Sequence, residues 1–149
     1  MVHRTQAVYT RIVRLYNVDH VGIAVFDLDA ALSDYERLYG VFPLYRETVE
    51  AQGVEEAMIP VGGSFVQLLQ PLSADSPVGR FLASRGEGLH HLAFAVDDIE
   101  VALSELAEQG ARLVDTVPRP GGRGARIAFV HPSTLGGTLV ELVELSHDH

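Results

Sequence analysis

The chain is 149 residues long, the size of one ordinary domain, and its 47% hydrophobic and 21% charged residues suit a folded protein with a buried core. Its 20 acidic and 11 basic residues give a formal net charge of −9, which argues against a nucleic-acid partner. The absence of cysteine excludes disulfides, thiol nucleophiles and thiolate metal sites, and because all 11 basic residues are arginine, lysine-based chemistry is excluded as well.

An N-terminal extension, residues 1–16, carries three arginines and no acidic residue. This composition suits an organelle transit peptide, a lead-in strand or a loose arm, and it lacks the apolar stretch of a secretory signal. We interpret the extension as separate from a single domain at residues 17–145, which a short tail at 146–149 follows. Since no apolar run approaches the ~20 residues that cross a bilayer, we expect no membrane partner and a cytoplasmic location.

An internal repeat organises the rest of the chain. Residues 20–32 read HVGIAVFDLDAAL and residues 91–103 read HLAFAVDDIEVAL, with matching residues at a constant offset of 71. A second match joins VQLL at 66–69 to VELV at 140–143, near the end of each half. Two matched pairs in the same order indicate two copies of one supersecondary unit.

Each copy begins with a short apolar run rich in β-branched residues, at 18–25 and 89–96, which predicts a strand. Asp27 and Asp98 follow as N-caps of helices whose apolar residues recur at helical spacing. The predicted fold class is α+β, with two tandem βαβββ modules. The remaining predicted features are helix C-caps at Gly40 and Gly110, strands at 42–49, 54–61 and 64–70, a linking helix at 75–85, and strands at 111–116, 126–131 and 138–144.

One face of each predicted first strand carries a histidine among unusually small residues. The two modules, at about residues 17–73 and 88–145, have His20 and His91 at equivalent positions. Strand alternation puts the larger apolar residues on the opposite face, against the helix. The face beside each histidine is therefore open for a ligand or for close packing of sheets. Its small residues are Gly22 and Ala24 in the first module and Ala93 and Ala95 in the second.

Four polar residues of the two modules are candidate metal ligands. His20 and His91 lie on the first strands, and Gln67 and Glu141 are single polar interruptions in the apolar last strands. A buried carboxylate is costly without a partner, and a cation offsets that cost. Nitrogen and oxygen donors without sulfur favour Co²⁺, Mn²⁺, Ni²⁺, Fe²⁺ or Zn²⁺, and an octahedral ion keeps two positions for a substrate. The neighbouring His90 has the opposite strand parity, which predicts an outer or packing role.

Sequence motifs spread over residues 18–145 carry a family resemblance. They are VDHVGIAV, QGVEEAM, DSPVGRFLASRGEGLHHLAFAVDDIE and RIAFVHPSTLGGTLVELVE. The chain resembles the vicinal oxygen chelate superfamily, whose glyoxalase-like fold is a curved-sheet barrel, and within it the methylmalonyl-CoA epimerase family. The segments GEGLHH and FVHP…GGTLVEL are the more specific ones, since DHVGIAV alone indicates only the superfamily.

The resemblance implies an isomerase that interconverts (2R)- and (2S)-methylmalonyl-CoA by removing the α-proton, with the enolate stabilised by a metal. It implies one divalent ion, Co²⁺ first with Mn²⁺, Ni²⁺ or Zn²⁺ as alternatives, held by the same four candidate ligands. The family's catalytic glutamate follows a Gln-Gly-Val turn and corresponds to Glu56, whereas Glu55 beside it is expected to face away. An acyl-CoA partner and a homodimer are also implied.

Three arginines near a glycine-rich turn are candidate contacts for the CoA phosphates: Arg119, Arg123 and Arg126. The alternative interpretation is a solvated turn. The chain departs from the family pattern at Ser133, where a lysine is frequent, and at Ala51, where a glutamate is common. Both departures concern how the CoA tail or the neighbouring loop is held.

Other functions stay open as alternatives. Glyoxalase I (lactoylglutathione lyase) resembles the chain less, because its bacterial type places a glutamate where this chain has Gln67 and because it lacks the GEGLHH segment. An extradiol dioxygenase needs iron with an open oxygen position, which a fourth protein ligand obstructs. A ligand-binding resistance protein of the same fold typically lacks the metal residues. The second acid–base group and the choice between methylmalonyl-CoA and ethylmalonyl-CoA are not decided by the sequence.

Overall fold

The computed structural model describes residues 13–145, in which eight strands form one mixed sheet. The first module contains β1 (Leu15–Ala24), α1 (Leu28–Tyr39), β2 (Tyr45–Val49), β3 (Val54–Val61) and β4 (Ser64–Pro71). The linking helix is α2 (Pro77–Arg85). The second module contains β5 (Gly88–Val96), α3 (Ile99–Glu108), β6 (Arg119–Pro120), β7 (Arg126–Val130) and β8 (Val140–Glu144). None of the helices within this described part is long and apolar enough to span a membrane.

The strand order β2-β3-β4-β1-β5-β8-β7-β6 displays the predicted duplication. β1 pairs parallel with β4, and β5 pairs parallel with β8 in the equivalent register, so that Gly22 lies opposite Gln67 and Ala93 lies opposite Glu141. The two modules join through antiparallel pairing of β1 with β5. The predicted α+β fold of two tandem βαβββ modules is confirmed, because equivalent sequences form equivalent strands.

The sheet curls so that its two edges come together. β2 and β6 are the edge strands, yet Arg123, shortly after β6, donates its backbone N–H to Glu47 Oε1 on β2 over 2.7 Å. Gln52 Nε2, in the turn after β2, donates to the backbone carbonyl of Pro120 over 3.2 Å. Side-chain contacts of this kind join the edges, and the sheet forms a half-barrel around an interior.

Helices α1 and α3 pack on the outer face of the curled sheet. Ile23 and Val25 pack with Leu28 of α1, and Val96 packs with Ile99 of α3. These residues belong to the strand positions that alternation assigns to the helix side. The positions of opposite parity, which include the small residues, face the interior.

Both predicted N-caps are present. Asp27 accepts a hydrogen bond from the backbone N–H of Ala30 over 3.0 Å, and Asp98 accepts one from the backbone N–H of Val101 over 3.1 Å.

We expect Asp27→Ala and Asp98→Ala each to lower the free energy of unfolding by about 1 kcal/mol, because each leaves helix N–H groups without a partner. Urea unfolding measures this, with Asp34→Ala, in an exposed ion pair of α1, as the control. Equal stability of the cap variants and the control would contradict this role.

The predicted strand at 111–116 is wrong. Asp115 accepts the backbone N–H of Phe129 with its side chain over 2.9 Å, while the N–H groups of Val114 and Asp115 both donate to the carbonyl of Phe129. The carbonyl of Phe129 on β7 therefore accepts hydrogen bonds from two residues of the segment. A regular ladder does not form beyond a single isolated bridge. The two-residue strand β6 pairs with β7 at the sheet edge instead.

Other boundaries also differ from the predictions: β1 begins at Leu15, inside the predicted extension at 1–16, and β8 begins at Val140 rather than at position 138. β2 begins at Tyr45 rather than at position 42, since Pro43 has no N–H for a strand ladder. Helix α3 ends at Glu108 with Gln109 as its C-cap, so Gly110 lies one residue beyond the cap, where its φ of 87° is left-handed. Residues 1–12 of the predicted extension, and the predicted tail at 146–149, lie outside the described residues.

Candidate functional site

A cavity of about 380 Å³ lies inside the curled sheet, between the two modules. Strands β1, β3 and β4 line it from the first module, and β5, β7 and β8 line it from the second. Much of its wall is apolar. The polar side chains that enter it include the four predicted metal ligands and the predicted catalytic residue: His20, Glu56, Gln67, His91 and Glu141. The fold therefore brings these residues from distant parts of the chain into one chamber.

Three of the predicted ligands converge on one point. His20 Nε2 lies 3.0 Å from His91 Nε2 and 2.8 Å from Glu141 Oε1, and His91 Nε2 lies 3.5 Å from the same oxygen. All three side chains are buried. Two imidazole nitrogens and a carboxylate oxygen at this spacing form a group that could hold a metal ion.

Buried oxygens at the cluster test whether a cation fits. Among residues 13–145, Glu141 Oε1 and Gln67 Oε1 are buried and lack a hydrogen-bond partner. The 2.8 Å approach of His20 to Glu141 is an ion-pair contact that lacks hydrogen-bond geometry. Gln67 donates with its Nε2 to Glu56, which leaves its carbonyl oxygen unused. Buried oxygens without donors are costly, and a divalent ion is a partner that suits them.

Gly22 makes room for His91. The two residues are partners in the β1–β5 register, and a Cβ at Gly22 would lie 2.2 Å from His91 Cε1. We expect Gly22→Ala to push the imidazole away from His20 and Glu141 and to lower the affinity for Co²⁺ at least about tenfold. Isothermal titration with Co²⁺ measures this, and Gly63→Ala, whose Cβ would meet nothing within 4 Å, is the matched control. Unchanged affinity in Gly22→Ala would remove His91 from the ligand set.

The charges of the cluster support one another. Burial alone would lower the pKa of His20, but its hydrogen bond to Asp19 and its contact with Glu141 outweigh burial and raise the pKa to about 9. Burial would raise the pKa of Glu141, but the charge of His91 and the contact with His20 lower it to about 2. Glu141 is therefore a carboxylate at neutral pH, which is the form that binds metals.

Asp19 contacts the other ring nitrogen of His20. Its Oδ2 lies 2.7 Å from His20 Nδ1 and also accepts a hydrogen bond from the guanidinium of Arg123. Asp19 reaches the same side as His20 because the β1–β5 register shifts between Val18 and His20, which makes Asp19 the extra residue of a β-bulge. Strand alternation does not predict this contact of Asp19, since it places neighbouring residues on opposite faces.

A second bulge brings His90 to the cavity. The β1–β5 pairing steps from Leu89 directly to His91, so His90 is left between paired positions of these described strands. Its Nδ1 lies 2.8 Å from His91 Nδ1, and its ring packs on Phe81. Burial and the neighbouring His91 lower its pKa to about 4. His90 is thus a neutral packing neighbour of His91, although strand parity alone assigned it to the other face.

Glu56 is a buried carboxyl group beside the cluster. It is 3% exposed, and its Oε2 accepts a hydrogen bond from Gln67 Nε2 over 3.3 Å. Burial raises the pKa of Glu56 above its usual value, the hydrogen bond from Gln67 opposes this, and the charge of Glu47 adds to it. A raised pKa suits a group that accepts and releases a proton near neutral pH. Glu55, as alternation predicts, instead contacts Arg46 on the outer face.

A second carboxylate lies next to Glu56. Glu47 is its partner in the β2–β3 register, and Gly122 packs against both side chains. A Cβ at Gly122 would lie 2.6 Å from Glu56 Oε1 and 2.9 Å from Glu47 Oε1, so a residue without a side chain suits this position. The loop after β6 therefore covers the two carboxylates. The sequence motifs do not predict Glu47 as a neighbour of the site, although its place in the predicted strand at 42–49 is a signal for it.

The three arginines predicted to contact CoA have different surroundings. Arg119 lines the cavity, and its side chain is partly exposed. Arg123 lies deeper, where its side chain pairs with Asp19. Arg126 is on the outer face and pairs with Glu144. All three guanidinium groups therefore contact a carboxylate, since Arg119 Nε lies 3.2 Å from Asp115 Oδ1. Arg119 differs from the other two because it lines the cavity and is more exposed than Arg123.

Family comparison agrees with this geometry. The model of the Glyoxalase/Bleomycin resistance protein/Dioxygenase superfamily matches residues 19–129. The chain therefore belongs to this superfamily, and the resemblance carried by its motifs is confirmed. Enzymes of this fold bind a divalent metal, and the cluster of His20, His91 and Glu141 is where this chain could hold one.

Relatives that match most of the chain include acyl-CoA epimerases. The ethylmalonyl-CoA/methylmalonyl-CoA epimerase of Cereibacter sphaeroides is 35% identical over 130 residues, which cover 86% of this chain and 97% of that protein. A variant of Streptomyces coelicolor methylmalonyl-CoA epimerase in complex with 2-nitronate-propionyl-CoA is 41% identical, with a TM-score of 0.87 over 90% of this chain and 97% of its own. A methylmalonyl-CoA epimerase in complex with methylmalonyl-CoA and NH4+ also has 41% identity, a TM-score of 0.87 and the same coverage.

Proposed function

We propose that the protein is a metal-dependent epimerase that interconverts (2R)- and (2S)-methylmalonyl-CoA. The observation that carries the proposal is one shared cavity in a chain related to acyl-CoA epimerases. There, the buried carboxyl group of Glu56 lies beside the cluster of His20, His91 and Glu141. A general base next to an electrophilic centre is what removal of a proton beside a thioester carbonyl requires.

His20, Gln67, His91 and Glu141 would hold one divalent ion, with Co²⁺ as the first candidate and Mn²⁺, Ni²⁺ or Zn²⁺ as alternatives. The buried oxygens of Gln67 and Glu141, which lack hydrogen-bond partners within residues 13–145, support this ligand set. When bound, such an ion supplies a Lewis acid that polarises the thioester carbonyl and stabilises negative charge on substrate oxygens. The proton transfers are left to the protein's own side chains.

Glu56 takes the α-proton onto its carboxylate. Its burial supports this role, because burial raises the pKa and so makes the carboxylate a stronger base. The hydrogen bond from Gln67 Nε2 holds Oε2 and thereby orients the group. Apolar side chains of the cavity wall, among them Val54, Met58 and Leu69, keep bulk water from the reacting carbon. A second acid–base group on the opposite face of that carbon donates the proton that inverts the centre, and both groups recover their protonation states by exchange with water.

Arg119 is the candidate contact for the CoA phosphates that the structure favours most. Its guanidinium reaches the cavity wall and is partly exposed, which suits a bidentate contact with phosphate. Arg123 and Arg126 are weaker candidates, because Arg123 is only 18% exposed and Arg126 does not line the cavity. The homodimer and the cytoplasmic location stay predictions.

Deuterium exchange tests the proposed activity. One epimer of methylmalonyl-CoA is incubated with the protein and Co²⁺ in deuterated water, and NMR follows label at the α-carbon. We expect deuterium to enter that position and the other epimer to form. Neither label nor epimer, with Co²⁺ and then Mn²⁺ supplied, would overturn the proposal. Ethylmalonyl-CoA under the same conditions tests the preference for the acyl chain.

Two alternatives are tested with the same preparation. Glyoxalase I would isomerise the hemithioacetal of methylglyoxal and glutathione, whereas a resistance protein would bind a ligand without turnover. The named epimerases among the relatives favour the first proposal over both. The cluster of His20, His91 and Glu141 also favours an enzyme over a resistance protein, since resistance proteins of this fold typically lack the metal residues. Turnover of the hemithioacetal alone would reverse this preference.

A further inference from the structure

We propose that Arg123 is a positioning residue for the metal site: it holds Asp19 in place, and Asp19 orients His20. The inference rests on the proposed metal site and deepens it, because it gives the loop after β6 a part in metal binding. That loop belongs to the second module, whereas Asp19 and His20 belong to the first.

A continuous chain of contacts leads from Arg123 to the cluster. The guanidinium Nη2 donates to Oδ2 of Asp19, and the same oxygen lies 2.7 Å from His20 Nδ1. On the far side of the ring, His20 Nε2 lies 2.8 Å from Glu141 Oε1 and 3.0 Å from His91 Nε2. The side chains of Asp19 and Arg123 are only 6% and 18% exposed, so water competes little for these contacts.

The direction of the hydrogen bonds decides what His20 can bind. A carboxylate only accepts, so the proton between Asp19 and His20 sits on the ring nitrogen Nδ1. Nε2 is then the nitrogen that binds a metal ion, and it releases its own proton when the ion binds. The charge-assisted bond from Arg123 fixes the position of Asp19, and Asp19 in turn fixes the plane and the tautomer of the imidazole.

Contacts with the first module hold the backbone of Arg123 in an uncommon conformation. Its φ of 58° is the one left-handed conformation outside glycine among the residues that the structure describes. Its N–H donates to Glu47 Oε1 over 2.7 Å, and its guanidinium carbon lies 5.4 Å from the centre of the Phe65 ring. Contacts with the first module thus maintain a strained residue, and strain of this kind concentrates at functional sites.

A surface role for Arg123 fits the structure less well. A contact with CoA phosphates needs an accessible guanidinium, but this side chain is only 18% exposed and pairs with Asp19. Arg126, three residues further on, provides the contrast, since its side chain is 45% exposed and pairs with Glu144 on the outer face. The two arginines therefore differ in surroundings while sharing a chain segment.

A double-mutant cycle in Co²⁺ affinity tests the proposal. Isothermal titration and the visible absorption of bound cobalt are recorded for Arg123→Met, Asp19→Asn and the double variant. Methionine, like arginine, is a non-glycine residue with an unbranched side chain, so the change removes the guanidinium and keeps the backbone preference. We expect each single variant to bind Co²⁺ about 10- to 100-fold more weakly. The Co²⁺ affinity of the double variant should lie within about threefold of that of the weaker-binding single variant.

Two further variants serve as controls. Arg126→Met should match the unchanged protein in Co²⁺ affinity within about twofold, because exposed ion pairs contribute little. Arg123→Lys keeps a positive charge near Asp19 and should recover part of the affinity. Thermal unfolding without metal measures the stability of each variant. If Arg123 had a merely structural role, Arg123→Met would lower the stability but leave the Co²⁺ affinity and the cobalt spectrum of the folded protein unchanged.

Three results would overturn the proposal. The first is that Arg123→Met and Arg123→Lys bind Co²⁺ as tightly as Arg126→Met does. This would show that the guanidinium of Arg123 does not act on the metal site. The second is that the double variant loses Co²⁺ affinity by the product of the two single losses. This would show that Arg123 acts without Asp19. Failure of the unchanged protein to bind Co²⁺ would overturn the proposed metal site itself, and this inference with it.

Discussion

Replacement of Glu56 by glutamine is expected to slow epimerisation and α-deuterium exchange by about 10²- to 10⁴-fold. Glutamine keeps the size of the side chain and can still accept a hydrogen bond from Gln67 Nε2, but an amide does not take up a proton at neutral pH. Because Glu56 is 3% exposed, water has little room to act in its place. The loss should therefore appear in kcat, with little change in Co²⁺ affinity.

Glu55→Gln is the matched control for this experiment. Glu55 precedes Glu56 on β3, but it accepts a hydrogen bond from Arg46 on the outer face over 3.1 Å. The rate of α-deuterium exchange in Glu55→Gln should stay within about twofold of the rate in the unchanged protein, since exposed ion pairs contribute little. Full activity of Glu56→Gln would move the base to another group in the cavity. Equal losses in both variants would indicate damage to β3 and no chemical role for Glu56.

Glu141→Gln is expected to weaken Co²⁺ binding by more than about 100-fold, because loss of an outer contact of a metal ligand already costs 10- to 100-fold. Glu141 supplies the negative charge among the four candidate ligands, and the other three are neutral when they bind a metal. It is 5% exposed, so water does not readily replace the lost ligand. Epimerase activity at limiting Co²⁺ should fall together with the affinity.

Glu144→Gln provides the control on the same strand. Glu144 accepts a hydrogen bond from the backbone N–H of Ile99 and pairs with Arg126 on the outer face. Its removal should leave Co²⁺ affinity within about twofold, apart from a small loss of stability. Dialysis against Co²⁺ followed by metal analysis gives the stoichiometry of each variant. One tightly bound ion per chain in Glu141→Gln would contradict the proposed ligand set.

The duplicated scaffold makes the candidate ligands nearly symmetric and the candidate base asymmetric. Each module contributes one histidine from its first strand and one oxygen donor from its last strand, in the same register. Met58 pairs with Gln67 as Phe129 pairs with Glu141. Two residues before these positions, the first module has Glu56 and the second has Ile127. One side of the cluster thus carries an ionisable group where the equivalent side is apolar.

The amino-acid sequence by itself determined the duplicated fold and the choice of candidate ligands. Both follow from local regularities. The offset of 71 between His20 and His91 placed them on equivalent strands, and the polar interruptions at Gln67 and Glu141 stood out because their neighbours are apolar. Helix caps and strand alternation depend on a few adjacent residues, so they can be read before the chain folds.

Tertiary structure alone decided which other groups reach the cluster. Asp19 and His90 contact the histidines because bulges in the β1–β5 pair change the parity that alternation predicts. Arg123 reaches Asp19 because the sheet curls and brings its edges together. The segment at 111–116 is not a strand, since the side chain of Asp115 takes a ladder position on β7. Each of these features depends on residues that are distant in sequence and become neighbours only after folding.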